Sequence, residues 1–218
     1  MYNQIKNHNA DLEQQVHDRI KEIRDTRLEV IQRLAVAAEL RDAGTGRHIY
    51  RMSRYSQLLA LAIGFTKEQG ELLLTTAPLH DIGKIAIPDT ILLKPAALDE
   101  QEFEIIKTHT TLGAKMLSGS DSVFLKMAES IAISHHEKWD GSGYPFGIKG
   151  EEIPLAGRIC AVADVFDALS SARPYKKAWT FEETMTEIRY LKTTHFDPRL
   201  VEAFQDIKQD IKAVYDKN

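Results

Sequence analysis

From residue 47 onward, apolar residues recur at spacings of three and four, the signature of amphipathic helices with one inward face. Met52, Leu58, Leu59 and Ile63 are apolar positions of a helix from about Arg47 to Ile63, and Gly64 stops it. Thr66 before Lys67-Glu68-Gln69 is a capping box that opens a helix running into Leu79. Pro88-Asp89 signals a turn. Asp99 with Glu102 caps a helix carrying Phe103, Ile106, His109 and Met116, which Gly119 ends. Asp121 or Ser122 starts the helix of Phe124, Met127, Ala128, Ile131 and His135. Pro154 precedes a helix through Asp164 to Leu169, and Thr180 with Glu183 forms another capping box. Asp197-Pro198 opens a last helix on Leu200, Phe204, Ile207 and Ile211. With no alternating β-branched run and no Asn-Gly hairpin, the pattern predicts an all-α helical bundle with short loops.

The first 42 residues differ. They are charged and glutamine-rich, without Pro or Gly, and predict one long helix. Ile5 and Leu12 fall in one loose heptad register, Val16, Ile23 and Val30 in the other, and Asn9, Arg19 and Thr26 interrupt the seam. Such a helix either pairs two copies as a weak coiled coil or folds onto its own domain. The division expected is a linker helix over 1–42 and a helical domain over 43–218.

Composition narrows the setting. The chain has 218 residues, 43% of them hydrophobic, enough for a sizeable core. A net charge of -4 argues against a nucleic-acid polymer or an anionic membrane as partner. No apolar run approaches the ~18 residues of a membrane span, and no signal peptide is visible. With the single cysteine, Cys160, unable to form an intramolecular disulfide, a cytoplasmic setting is expected.

Five of the eight histidines, His48, His80, His109, His135 and His136, sit at helical turns or ends together with Asp81 and Asp164. His135 follows Ile131 by four and His109 follows Ile106 by three, so both continue inward-facing stripes. Asp164 lies in the apolar run Ala161-Val162-Ala163-Asp164-Val165-Phe166, where an ionised carboxylate without a partner is costly to bury. A lone inward histidine is usually a hydrogen-bonded core residue; seven such groups on facing helices point to metal. Imidazole with carboxylate suits Zn, Fe, Mn or Ni better than Mg or Ca, and seven ligands exceed one ion's needs. Two ions about 3.5–4 Å apart, sharing a carboxylate and a hydroxide, would suit phosphate-ester hydrolysis. Lys84, three residues after Asp81, either contacts a phosphoryl oxygen or lies on the surface.

His80-Asp81, with His48, His109 and Asp164, resembles the HD phosphohydrolase superfamily. His135-His136-Glu137 followed by Asp140-Gly141-Ser142-Gly143-Tyr144-Pro145 resembles its HD-GYP subfamily, bacterial phosphodiesterases of cyclic di-GMP. The likeness runs from about Leu34 to Ile207 and takes in Arg41-Asp42, Thr45, His80 to Lys84, Ala161 to Leu169 and Arg173-Pro174-Tyr175-Lys176. It implies an HD-type bundle that linearises cyclic di-GMP to pGpG, and onward to GMP, at a binuclear centre of two divalent ions, Fe or Mn first, Ni or Zn second. It also implies that His48, His80, Asp81 and Asp164 ligate one ion, and that Asp81 bridges to another held by His109, His135 and His136. Lys84 would sit against the scissile phosphate, and Arg173 and Lys176 would hold substrate phosphates. Gly141, Gly143 and Tyr144 would shape the substrate side. Tyr144 either lines a guanine pocket, braces the metal site or simply packs the turn. The implied partners are cyclic di-GMP, a receiver or sensor domain such as precedes this linker in response regulators of the family, and GGDEF-type proteins.

Gly44 departs from the family pattern: some members carry there a glutamate that helps hold a third metal, so two ions are expected here. Thr110 replaces a common proline and should matter little. His195 reads as structural, near a helix start. The competing readings are a catalytically silent module that binds a cyclic dinucleotide or a protein, and a phosphodiesterase of another cyclic dinucleotide.

Overall fold

Two apolar clusters gather the helices of this computed structural model, which describes residues 2–39, 41, 47–172 and 177–217. Among them run ten α-helices: α1 (Tyr2–Glu39), α2 (Arg47–Ala62), α3 (Lys67–Thr76), α4 (Asp89–Leu92), α5 (Glu100–Leu117), α6 (Val123–Ser134), α7 (Leu155–Ser170), α8 (Phe181–Tyr190), α9 (Pro198–Asp206) and α10 (Lys208–Tyr215). Short 3-10 segments cover Ala77–Leu79, Ile82–Ala86 and Gly150–Glu152. Extended pairing among the described residues is one isolated bridge, Lys192 with Phe196, as an all-α chain requires. The sequence positions Asp42, Gly44, Thr45, Arg173 and Lys176 lie outside the described residues.

The capping signals act where the sequence puts them. Thr66, Asp99 and Thr180 each accept the N3 amide, while Gln69, Glu102 and Glu183 accept the cap N–H in return. Asp197 caps α9 by accepting from Arg199 N at 2.9 Å, with Pro198 in the first turn. Two boundaries differ from the sequence pattern. The helix opened by Thr66 ends at Thr76 and tightens into a 3-10 turn before Leu79, where Pro78 removes an amide. The last helix is two, broken at Ile207. Its apolar positions keep helical spacing through the break, so periodicity alone does not register it.

The larger cluster joins α2, α3, α6, α7, α8, α9 and α10 around Met52, Tyr55, Leu59, Ile131, Ile159, Phe166, Phe204 and their neighbours. The smaller joins the end of α1, through Ala35 and Ala38, to Ile49, Leu79, Ile82, Phe124 and Ala128. Two glycines permit the closest approaches. A Cβ on Gly83 would lie 1.9 Å from the carbonyl oxygen of His109, so the 3-10 segment lies against the α5 backbone. A Cβ on Gly157 would lie 2.1 Å from Ser134 Oγ, so α7 crosses the end of α6 at equally short range. These contacts draw the ends of four elements to one place.

The N-terminal part of α1 stands apart from the bundle. Leu12, Val16, Ile20, Ile23, Val30 and Leu34 are 44–66% exposed. At about 100° per residue they share one narrow stripe, roughly a quarter-turn from the face that holds Ala35 and Ala38 and the Arg24–Glu71 ion pair. Among the described residues no helix is long and apolar enough to cross a membrane.

Asp197 links two ends of the larger cluster. Its buried carboxylate accepts from Arg158 Nη1 at 2.6 Å while capping α9. Burial works against its charge, yet Arg199 and Arg158 hold its carboxyl below the usual range. Asp197→Ala removes a cap and strands a nearly buried guanidinium, so it is expected to lower stability by about 2–4 kcal/mol. A denaturant titration checks this: the midpoint falls with an unchanged slope.

Candidate metal centre

Five imidazoles and two carboxylates meet where α2, the His80–Ala86 segment, α5, the end of α6 and α7 converge. The ligand atoms of Asp81, His109, His135 and His136 lie within 4.8 Å of one another, as do those of His48, His80 and Asp164. All seven sequence-predicted ligands are thus brought together, in two adjoining groups.

Local backbone chemistry orients the rings. His80 follows a 3-10 turn, and its Nδ1–H donates to Ala77 O at 3.0 Å. His109 Nδ1–H donates to Ile106 O at 2.7 Å, one turn back along α5. His135 is the C-cap of α6, and its Nδ1–H is shared by the Ile131 and Ala132 carbonyls, both at 3.1 Å. His48 Nδ1–H donates to Asp167 Oδ2 at 2.7 Å. A carbonyl or carboxylate can only accept, so each Nδ1 carries a hydrogen and each ring turns its Nε2 inward. His109 Nε2 and His135 Nε2 then face each other at 3.4 Å. His136 is held differently, stacked on Tyr144 at 4.7 Å between centroids.

Asp81 lies between the groups. Its Oδ2 is 3.1 Å from His80 Nε2, and its Oδ1 is 3.2 Å from His109 Nε2 and 3.6 Å from His135 Nε2. Lys84 Nζ is 2.8 Å from Oδ2. The 3-10 geometry of Ile82–Ala86 explains this pairing, because residues three apart eclipse there. Arg41 clasps the same segment, donating to Lys84 O and Ile87 O at 3.0 Å, to Ile85 O and to Asp89.

The charges suit a cation. Burial opposes ionisation of Asp81, but Lys84 and His80 outweigh it and hold the carboxyl well below the usual range. Burial also opposes a charge on His80, and Asp81 and Asp164 overcome it, raising His80 to about 9. A proton therefore takes the position a metal would fill. Burial lowers His135 and His136, the latter strongly, so these rings are neutral donors. His80 Nε2 and Asp81 Oδ1 are buried without a hydrogen-bond partner. Converging lone pairs, two inward carboxylates and buried atoms left without hydrogen bonds fit divalent transition metals.

The sequence pattern missed Asp167 and Arg51. Asp167 is fully buried and anchors His48; Arg51 grips it in turn, with Nε 2.5 Å from Oδ1 and Nη2 2.8 Å from Oδ2. Each lies three residues after a ligand, Asp167 after Asp164 and Arg51 after His48, so each shares a helical face with it, which is the signal that could have found them.

The glycine-rich stretch forms a loop behind His136. The buried Glu137 carboxylate accepts from Phe146 N at 2.8 Å, and Asp140 accepts from Ser142 N at 2.8 Å. Gly141 has φ +86°, a conformation that other residues resist, and a Cβ on Gly143 would meet Lys138 N at 2.3 Å. The loop is tied to the 191–196 turn, where Trp139 N and Asp140 N donate to His195 O and Thr194 O at 3.0 Å. His195 belongs to neither ligand group; its ring stacks on Phe196 at 4.4 Å.

Residues 29–200 match the model of a family described as an HD domain. The chain belongs to the HD domain family. Its fold is similar to a cyclic GMP-AMP specific phosphodiesterase of Vibrio cholerae, V-cGAP3, with a TM-score of 0.60 at 21% identity, covering 86% of this chain and 53% of that one. The HD domain here is 46% identical to the cyclic di-GMP phosphodiesterase response regulator RpfG of Xanthomonas campestris, over 91% of this chain and 53% of the relative. It is 45% identical to 3'3'-cGAMP-specific phosphodiesterase 2 of Vibrio cholerae, over 83% of this chain and 35% of the relative. The chain thus spans about half or less of the length of these curated relatives.

Asp167→Asn keeps the side-chain volume but exchanges an ionic anchor of His48 for a neutral amide. It is expected to weaken metal binding by the His48–His80–Asp164 group about 10–100-fold. Competition against a graded chelator, read by elemental analysis, checks this: one metal equivalent leaves early and the other is retained.

Proposed function

We propose that this HD domain is a metal-dependent phosphodiesterase that opens cyclic di-GMP to pGpG, and then cleaves pGpG to GMP. The observation that carries the reading is the convergence of inward Nε2 atoms on Asp81, in two adjoining groups that together offer seven donors. Two divalent ions, Fe or Mn first and Ni or Zn also suited to these donors, would supply Lewis-acid polarisation of the phosphoryl oxygens and an acidified water. His48, His80 and Asp164 would hold one, His109, His135 and His136 the other, with Asp81 between them.

The chain's own residues set the rest of the chemistry. Asp81, ionised despite burial, keeps Lys84 Nζ at the edge of the site, where its ammonium donates to a non-bridging phosphate oxygen. Water adds to phosphorus as the ester P–O bond breaks, and the departing alkoxide takes a proton, leaving one phosphomonoester end and one hydroxyl. Preorganised positive charge at the developing phosphorane oxygens favours that transition state over the bound ester. Arg173 and Lys176 would hold the flanking phosphate. Gly141 and Gly143 act through the loop that presents Tyr144 to the substrate.

The names of the relatives divide between cyclic di-GMP and 3'3'-cGAMP at 46% and 45% identity, so base identity must be measured. A catalytically silent module is the competing reading, and two complete ligand groups weigh against it. The response-regulator relative supports a receiver or sensor domain as the regulatory partner. The exposed α1 stripe, running from Val16 through Ile20, Ile23, Val30 and Leu34, supports pairing with a second copy, since an isolated helix is only marginally stable in water.

Protein loaded with Fe(II) or Mn(II) is expected to convert cyclic di-GMP to pGpG and GMP, followed by chromatography. Tight binding without turnover by either metal form would establish the silent reading instead. Lys84→Ala is expected to lower turnover roughly 100-fold with metal content unchanged; normal turnover would remove Lys84 from the mechanism. Ile23→Asp is expected to shift the protein from dimer to monomer in sedimentation without altering metal content, and an unchanged mass would leave α1 unpaired.

A further inference from the structure

Phe103 has no structural employment within the bundle. It is 45% exposed and belongs to neither apolar cluster, whereas α5 buries His109, Thr110, Gly113 and Ala114. Its ring meets Tyr144 edge-on, with centroids 6.4 Å apart and planes at 78°. Tyr144 in turn stacks on His136 and lies 6.4 Å from His109. An aromatic wall therefore runs from His136 and His109 outward to the half-exposed Phe103 ring, with the Lys107 ammonium over one of its faces. Lys107, one turn along α5 from Phe103, places Nζ 5.0 Å from the Phe103 centroid and 5.7 Å from that of Tyr144. Glu104 holds the same ammonium at 2.5 Å, which engages one of its three donors.

We propose that Phe103 and Lys107 form the base-recognition platform of the substrate site: Phe103 stacks one purine of the cyclic dinucleotide, and Lys107 reads that base as guanine. The proposal rests on the phosphodiesterase reading above and names what sets its base preference. A diester whose phosphorus lies among the ligand groups must direct its bases outward along the site's walls, and this wall offers a π-face where a base would arrive. Stacking alone accepts any base. The ammonium adds discrimination, because the Hoogsteen edge of guanine presents two acceptors, N7 and O6, while adenine replaces the second with an amino donor. Phe103 and Lys107 belong to neither ligand group, so the platform is separable from the metal centre.

The test uses the metal-loaded protein with cyclic di-GMP and cyclic di-AMP. Phe103→Ala is expected to raise KM for cyclic di-GMP on the order of tenfold, with kcat and metal content unchanged, and Phe103→Tyr is expected to restore it. Lys107→Met is expected to raise KM for cyclic di-GMP more than for cyclic di-AMP. An unchanged KM in Phe103→Ala, or a fall in kcat without a rise in KM, overturns the platform, since a ring that merely braced Tyr144 would act on turnover. Equal changes for the two substrates in Lys107→Met overturn the guanine assignment. A wild-type protein that turns over no cyclic dinucleotide overturns the phosphodiesterase reading itself and the platform with it.

Discussion

Burying five imidazoles beside two carboxylates is tolerable only if something positive sits among them. Four of the rings have their Nδ1–H committed to a carbonyl or carboxylate, so their Nε2 atoms point at one another across distances such as the 3.4 Å between His109 and His135. Without a cation, the fold meets that demand with the Lys84 ammonium and a proton on His80, whose affinity the two carboxylates raise to about 9 against the effect of burial. A metal ion held there would compete with those charges, and its ligation would feed back on the elements that carry these side chains. The rest of the molecule can be understood as what holds those elements in place.

Most of that holding is done by backbone. His80, His109 and His135 each take their orientation from a carbonyl one turn earlier in their own element, so helical geometry itself specifies the tautomer. The elements in turn approach to distances that exclude a Cβ, at Gly83 against α5 and Gly157 against α6. His48 is the exception. It lies at the start of α2 and depends on Asp167 and Arg51, a buried ionic pair whose own desolvation is offset only while both partners remain. The His48–His80–Asp164 group therefore depends on side chains where the other depends mainly on main chain.

These differences explain what could be read along the chain. The all-α class and the three capping boxes were legible because each is a local signal, and so were His109 and His135 on inward stripes and Asp164 in an apolar run; the grouping of these with His48, His80, Asp81 and His136 into two ligand sets came from the family resemblance. Asp167 and Arg51 were not singled out, because nothing about a carboxylate or a guanidinium on an amphipathic helix distinguishes an anchor from a surface charge until the opposite helix is in place. The break at Ile207 was invisible for a related reason, since α9 and α10 keep one apolar period across it. The register of α1 also changed its meaning. The heptad reading passed through Arg19 and Thr26, whereas the exposed stripe passes through Ile20 and Leu34, and only burial separates that stripe from the face that packs on the domain.

The loop after His136 joins the two halves of the site's chemistry. Glu137, adjacent to a ligand, spends its carboxylate on the amide of Phe146, and burial together with that bond fixes the far side of the loop to the near one. Tyr144, between them, stacks on the ligand His136 and faces Phe103. A substitution within Gly141–Phe146 would thus move the His136 ring as well as Tyr144, while one at Phe103 or Lys107 on α5 leaves the loop's own hydrogen bonds intact.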